Sequence, residues 1–141
     1  MNARSLAGIA LAILVGGAVY FLWPKEKLSP EDEVRQLLAR MVDAAERKSP
    51  SDVVAGLDDG FRGQGGADKA QIKALLVGQF FRATQVVVLN PSLEVQVQTP
   101  TAAHFKGSFL LTRDGSAATY VIEGEAEKTD GWHLTSATWS Q

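Results

Sequence analysis

The sequence predicts an α+β domain in which three helices precede four to five strands. Apolar side chains recur at helical spacing from Val34 to Ala45, and again from Ile72 to Phe80. After Arg82 the period changes, and apolar residues alternate with polar ones along most of the remaining chain. Short turns separate the alternating segments, which is typical of an antiparallel sheet. Helices followed by strands in this order predict that the helices cover one face of the sheet.

An uncharged run, Leu6–Trp23, lies ahead of this domain and predicts a transmembrane helix. At about 1.5 Å per residue the run would cover roughly 27 Å, close to the ~30 Å hydrocarbon core of a bilayer. We therefore expect an uncleaved anchor over residues 1–23, in contact with lipid through residues 5–23. A linker over residues 24–28 and a domain over residues 29–141 would follow.

The alternative to an anchor is a signal peptide, in which Gly16 and Ala18 would supply the small residues of a cleavage site. We favour the anchor because the apolar run continues past a usual signal core, and because Tyr20 and Trp23 would form an interfacial aromatic belt. The short segment before the run predicts a single-pass protein with its domain on the exported side.

Small residues form a stripe along one side of the predicted anchor. Gly8, Ala12 and Gly16 are spaced at i, i+4 and i+8, and such stripes let two helices approach closely. They predict a second copy of this chain, or a membrane-complex partner, as the contact. Gly and Ala are also common in membrane helices that have no partner, so this alternative stays open.

Composition excludes several classes of function. The chain has no cysteine, which excludes disulfides, thiolate metal sites and a cysteine nucleophile. Its net charge is −2, and residues 1–28 contribute three basic residues and one acidic residue, so the remaining chain carries −4. A mildly acidic domain has no electrostatic footprint for nucleic acid.

Capping residues mark the starts of the three predicted helices. Ser29 and Pro30 begin the first, which we expect over residues 30–48. Ser51–Asp52 begins a short second helix, and Asp68 begins the third. Turn residues end the second helix and separate the strands, at Asp58–Phe61, Asn90–Ser92, Arg113–Ser116 and Thr129–Gly131.

This order of elements resembles the nuclear-transport-factor-2-like superfamily, also called SnoaL-like or cystatin-like. The resemblance covers about residues 30–140 and is carried by the long first helix, the segments Leu57–Phe61 and Phe80–Arg82, and the final hairpin Glu123–Trp139. It implies a cone-shaped α+β fold with a curved sheet. Members include isomerases, dehydratases, cyclases, transport adaptors and domains without known activity, so the fold does not select the function.

A cone with an open end predicts a pocket lined by aromatic side chains. Phe105, Phe109, Tyr120 and Trp132 are the candidates for ligand binding. Aromatic residues at strand spacing are more often part of a core, and a cone uses the same side chains for both purposes.

Candidate catalytic residues are few. Asp59, beside the implied cavity mouth, and Tyr120, on an apolar strand face, are the two that we single out. Turn formation before Gly60 explains Asp59 without catalysis. His104 and His133, the only histidines, lie on separate strands, so we predict no metal and no cofactor.

A row of like charges, Glu123, Glu125 and Glu127, follows one strand face. Such charges repel unless cations face them, and His104 and Lys106 on the neighbouring strand could supply these. The row predicts either a solvated face or a surface for a partner. Taken together, the sequence favours a membrane-anchored domain for ligand binding, protein binding or assembly, without evident catalytic machinery. The alternative is a small-molecule isomerase, dehydratase or cyclase that uses the cone pocket.

Overall fold

The computed structural model describes residues 28–141. The predicted anchor, the stripe of Gly8, Ala12 and Gly16, and all of the predicted linker except Leu28 lie outside the described residues. Within residues 28–141, no helix is both long enough and apolar enough to span a bilayer.

The described chain is an α+β domain with a curved, five-stranded mixed sheet, which confirms the predicted class. Its helices are α1 (Pro30–Glu46), α2 (Pro50–Val54) and α3 (Lys69–Arg82), with a 3-10 turn at Gln64–Gly66. Its strands are β1 (Leu57–Arg62), β2 (Val86–Thr99), β3 (Ala102–Arg113), β4 (Ser116–Thr129) and β5 (Gly131–Ser140). The sheet order is β1-β5-β4-β3-β2, with β1 parallel to β5 and the other pairs antiparallel.

The segment Leu57–Phe61 corrects the prediction of a helix end followed by a turn, because it forms most of β1. Leu57 and Phe61 are only 3% and 2% exposed. Their spacing of four residues fits one face of a strand as well as one face of a helix. Hydrogen bonding to β5, including Leu134 N–H to Gly56 O at 2.8 Å, selects the strand. The sheet is therefore mixed rather than wholly antiparallel.

Asn90–Ser92 corrects a second prediction, since it lies inside β2 and does not separate two strands. The pairing with β3 shifts its register between Leu89 and Ser92. Pro91 is tolerated there because β2 is an edge strand, where a missing N–H leaves no ladder partner unsatisfied.

Helix α1 covers one face of the sheet, which we call the inner face. The Ser29 side chain accepts a hydrogen bond from Asp32 N–H at 3.2 Å, so the predicted cap is confirmed. The helix ends two residues earlier than predicted. Its apolar side buries Val34, Leu37 and Leu38 in the core with Phe61 and Phe105.

Helix α3 is held less deeply than α1. It begins with the predicted cap, in which Asp68 and Gln71 form a capping box. None of its residues is buried, although Ile72 and Leu76 pack against the core. Phe81 is 91% exposed. The helix therefore contacts the domain along one edge only.

Two charged side chains hold the connection between α3 and β2. Lys48 Nζ donates to Ala83 O at 3.0 Å and Thr84 O at 3.2 Å. The Asp114 carboxylate accepts from Thr84 N–H and Gln85 N–H, each at 2.9 Å. Asp114 lies in the confirmed turn between β3 and β4, so this turn is bonded to the segment that connects α3 to β2.

We expect the hydrogen bonds that the Asp114 carboxylate accepts to weaken in acid. Hydrogen bonds from the amides of Gln85 and Thr84 lower the pKa of Asp114 below its ordinary value of 3.8. A lowered folded-state pKa gives a stabilisation that is present above pH ~3.8 and is lost as pH falls through the folded pKa. Urea unfolding of wild type and Asp114→Asn should show wild type more stable at pH 6, with the difference shrinking below about pH 4. A difference that is constant between pH 6 and pH 3 would contradict this.

Candidate ligand cavity

A cavity of about 630 Å³ lies between α1, α3 and the inner face of the sheet. Buried side chains form its closed end, namely Leu38, Phe105, Phe109 and Leu134. The volume falls within the ~300–1,000 Å³ of small-molecule sites.

The exposed lining residues locate the opening of this cavity. Leu75 on α3 is 54% exposed, and Arg113, Ser116 and Ala117 beside the β3–β4 turn are also exposed. The mouth therefore lies between α3 and that turn. Asp114 accepts hydrogen bonds from Thr84 and Gln85, which follow α3, so these bonds fix the turn beside the mouth.

Polar groups on the cavity wall are few, and most lie near the mouth. Arg113 Nη1 donates to Gln79 Oε1. Ser116 is the cross-strand partner of Arg113. The Tyr120 hydroxyl accepts a hydrogen bond from Gln141 Nε2 at 3.4 Å. Among the lining residues within 28–141 there is no carboxylate and no histidine, so Arg113 and Tyr120 are the titratable side chains of the wall.

Strand pairing explains how the apolar wall is built. Phe109 pairs with Tyr120, and Phe105 pairs with Gly124, so alternate residues of β3 and β4 face inward together. A Cβ at Gly124 would lie 2.9 Å from the Phe105 ring. Glycine at this position therefore makes room for the ring at the closed end of the cavity.

Three of the four aromatic residues proposed from the sequence line the cavity: Phe105, Phe109 and Tyr120. Trp132 does not, which corrects that part of the prediction. It lies beside the β4–β5 turn, opposite Lys128, and its Nε1 donates to Glu33 Oε2 at 2.8 Å. Trp132 thus joins β5 to the first turn of α1.

Asp59 lies away from the cavity wall. Its side chain is fully exposed and pairs with Lys69 Nζ at 3.3 Å. Asp58 Oδ2 accepts from Gly60 N–H at 2.8 Å, so local backbone bonding occupies the neighbouring carboxylate. The geometry does not bring Asp59 and Tyr120 together on the cavity wall, as a shared catalytic use would require.

Both histidines lie outside the cavity. His104 Nε2 is 2.9 Å from Glu123 Oε1 on the outer face, and His133 Nδ1 is 3.2 Å from Gly131 O. Glu123 and Glu125 are exposed on the same outer face, where Lys106 pairs with Glu123 across the strands. In the part of the chain that the structure describes, no three His, Cys, Asp or Glu residues cluster as a metal site would require.

The sequence reasoning missed Arg113 as a residue of the cavity. The alternation of β3 places Arg113 on the same face as Phe109 and Leu111, and this period could have identified it. Its position beside the turn obscured that signal. The sequence does not identify Gln79 as the partner of Arg113, because only the tertiary structure brings α3 to the turn.

No protein-family model matches this chain, and no curated protein matches its sequence. The likeness of this chain to known proteins therefore rests on solved structures alone.

Three similar structures come from bacteria. An NTF2-like protein of unknown function from Pseudomonas putida KT2440 is 17% identical, with a TM-score of 0.69, over 78% of this chain and 84% of that one. A "putative dehydratase from the NTF2-like family" from Streptomyces avermitilis is 15% identical, with a TM-score of 0.68, over 78% and 94%. Bdellovibrio bacteriovorus Bd1075 is 14% identical, with a TM-score of 0.69, over 77% of this chain.

The domain has the NTF2-like fold. At these identities the likeness shows the fold alone. The chain spans only 40% of the length of Bd1075.

Proposed function

We propose that this NTF2-like domain binds a small, largely apolar molecule in the cavity between α3 and the inner face of the sheet. The observation that carries the proposal is a 630 Å³ cavity whose wall is mostly aliphatic and aromatic. A preformed apolar cavity with a few polar groups is the usual form of a ligand site. Removing apolar surface from water supplies the free energy of binding.

The test is a titration of the full chain in phosphatidylcholine nanodiscs with 1-decanol, followed by methyl NMR. Bound decanol should shift the methyl signals of Leu38, Leu111 and Ile122, which line the cavity, and leave Val53 on α2 unchanged. Equal shifts at the cavity methyls and at Val53, or no shift at the cavity methyls, would refute the proposal.

A matched pair of variants separates the cavity from the rest of the surface. Ala118→Phe would place a ring into the cavity and should abolish the cavity shifts. Thr119→Phe adds a ring at the next residue, which faces outward, and should leave them intact. Both variants should remain folded by circular dichroism, because both sites have open space beside them.

The alternative function is a small-molecule isomerase, dehydratase or cyclase. The Tyr120 hydroxyl at the cavity wall and the description of the Streptomyces neighbour favour it. General acid–base chemistry needs a titratable group within hydrogen-bond reach of the substrate. The described wall offers only Tyr120 and Arg113, which is why we favour binding. Turnover of a cavity ligand that is lost in Tyr120→Phe would reverse this preference.

We also propose that Leu6–Trp23 holds the domain at a membrane, exported and single-pass. The absence of charge over eighteen residues supports this. The full chain should stay with membranes after alkaline extraction, whereas Leu14→Lys combined with Val15→Lys should release it, since each central lysine costs about 3 kcal/mol of insertion. Leu14→Ala combined with Val15→Ala is the control and should remain bound. Release of wild type would refute the anchor.

The stripe of Gly8, Ala12 and Gly16 supports a further proposal, that two anchors pair or that one pairs with a partner of a membrane complex. Crosslinking in membranes should give a product with wild type and lose it with Gly16→Ile. An unchanged product would show that assembly does not use this stripe.

A further inference from the structure

We infer that the ligand of this cavity is an amphiphile with a single carboxylate head, held by Arg113 at the mouth while its apolar tail fills the interior. This inference rests on the proposed function, and it adds the chemical class and the orientation of the ligand.

The gradient of burial along the cavity gives the orientation. Phe105 and Leu134, at the closed end, are 1% and 4% exposed, whereas Leu75 at the mouth is 54% exposed. A charged group is costly to bury without a partner and an apolar chain is costly to expose. A ligand that has both therefore enters tail first and keeps its head at the mouth.

The polar groups at the mouth include several hydrogen-bond donors. Arg113 is exposed there and bonds to Gln79 Oε1, which leaves further guanidinium N–H groups for a ligand. The Gln79 amide nitrogen and the Ser116 hydroxyl can donate beside it. A guanidinium and a carboxylate form paired, charge-assisted hydrogen bonds, which a neutral head cannot match.

The carboxylates near this end of the domain face backbone amides. Asp114 accepts from Thr84 N–H and Gln85 N–H, and Glu46 Oε2 accepts from Val88 N–H at 3.3 Å. Within residues 28–141, no carboxylate oxygen lies within 4.0 Å of the Arg113 guanidinium. The Asp114 carboxylate attracts the Arg113 charge through space, but no carboxylate of the described chain bonds the guanidinium directly, so its remaining N–H groups are available to a ligand at the mouth.

The test compares decanoate, 1-decanol and decylammonium, which share one chain length and differ in head charge. The full chain in phosphatidylcholine nanodiscs is titrated at pH 8, where a carboxylate is ionised, and affinities are taken from the cavity methyl shifts at known free probe concentration. Decanoate should bind about fivefold more tightly than decanol, as expected for an exposed ion pair, and decylammonium more weakly than decanol.

Arg113→Gln should remove the preference for decanoate and leave the affinity for decanol within about twofold. Arg40→Gln removes an exposed arginine of α1 that does not line the cavity, and should preserve the preference. Higher salt should reduce the ratio in wild type. Equal binding of decanoate and decanol in the cavity, or a preference that survives Arg113→Gln, would overturn the inference and leave the proposed function standing. Failure of every probe to shift the cavity methyls would instead refute the proposed function.

Discussion

Replacing Phe105 by alanine should lower the free energy of unfolding by about 3–5 kcal/mol, the usual cost of removing a buried aromatic ring. Phe105 is 1% exposed and packs in the core between α1 and the sheet. The cost should lie toward the lower end of that range, because the side of the ring that faces the existing cavity has no neighbouring atoms to lose. Urea unfolding, followed by tryptophan fluorescence, measures the change.

Phe81→Ala is the matched control for this prediction. It is the same substitution, at a side chain that is 91% exposed. Its effect should stay within about 0.5 kcal/mol, as for surface substitutions in general. If the two variants lost similar stability, Phe105 would not lie in the core as the structure has it.

The second large effect is expected from Gly124→Val. A Cβ at Gly124 would lie 2.3 Å from Ser136 O on β5 and 2.9 Å from the Phe105 ring. The first contact involves backbone, so side-chain rotation cannot relieve it, and the β4–β5 pairing must shift. We expect a loss of about 3 kcal/mol or more, at or beyond the upper end for overpacked cores, and a fall in the melting temperature of more than roughly 10 °C.

Gly78→Val supplies the control in the same domain. Nothing lies within 4 Å of a Cβ built at Gly78 on α3. Valine and glycine differ little in helix propensity, so stability should change by less than about 0.5 kcal/mol. Comparable losses at Gly78 and Gly124 would show that the backbone approach between β4 and β5 is not the cause.

Phe105→Ala and Gly124→Val should affect the cavity as well as stability. Phe105 forms part of the cavity's closed end, and a side chain at Gly124 would press on that ring, so a change at either position alters the space available to a ligand. Variants at the mouth act differently, because Arg113 and Ser116 are exposed and contribute little to the core. Stability and ligand selectivity should therefore respond to different residues of the same cavity.

Local signals in the sequence predicted the elements whose formation depends on near neighbours. Ser29 and Asp68 cap α1 and α3 as expected, because an N-cap bonds to amides within three residues. The turns at Arg113–Ser116 and Thr129–Gly131 separate strands as expected, and Asp114 and Gly115 adopt the left-handed conformations that such turns require, with φ of 51° and 86°.

Signals that depend on distant partners were misread. Leu57 and Phe61 have a spacing that suits a helix or a strand, and the parallel partner that decides between them lies on β5, near the end of the chain. Pro91 suggested a turn, and only the edge position of β2 shows why a strand tolerates it. Trp132 has the alternation of a pocket residue, but it lies beside the β4–β5 turn, where its indole N–H bonds to Glu33 on α1, and it is not part of the cavity lining.

The sequence by itself determined the α+β class, the caps of α1 and α3 and the alternating strands β3 and β4, because periodicity and capping are properties of residues close together in the chain. Only the tertiary structure decided that β1 completes a mixed sheet, that α3 and the β3–β4 turn border an opening, and that Arg113 lies at it. Those facts depend on contacts between segments far apart in sequence, which no local pattern encodes.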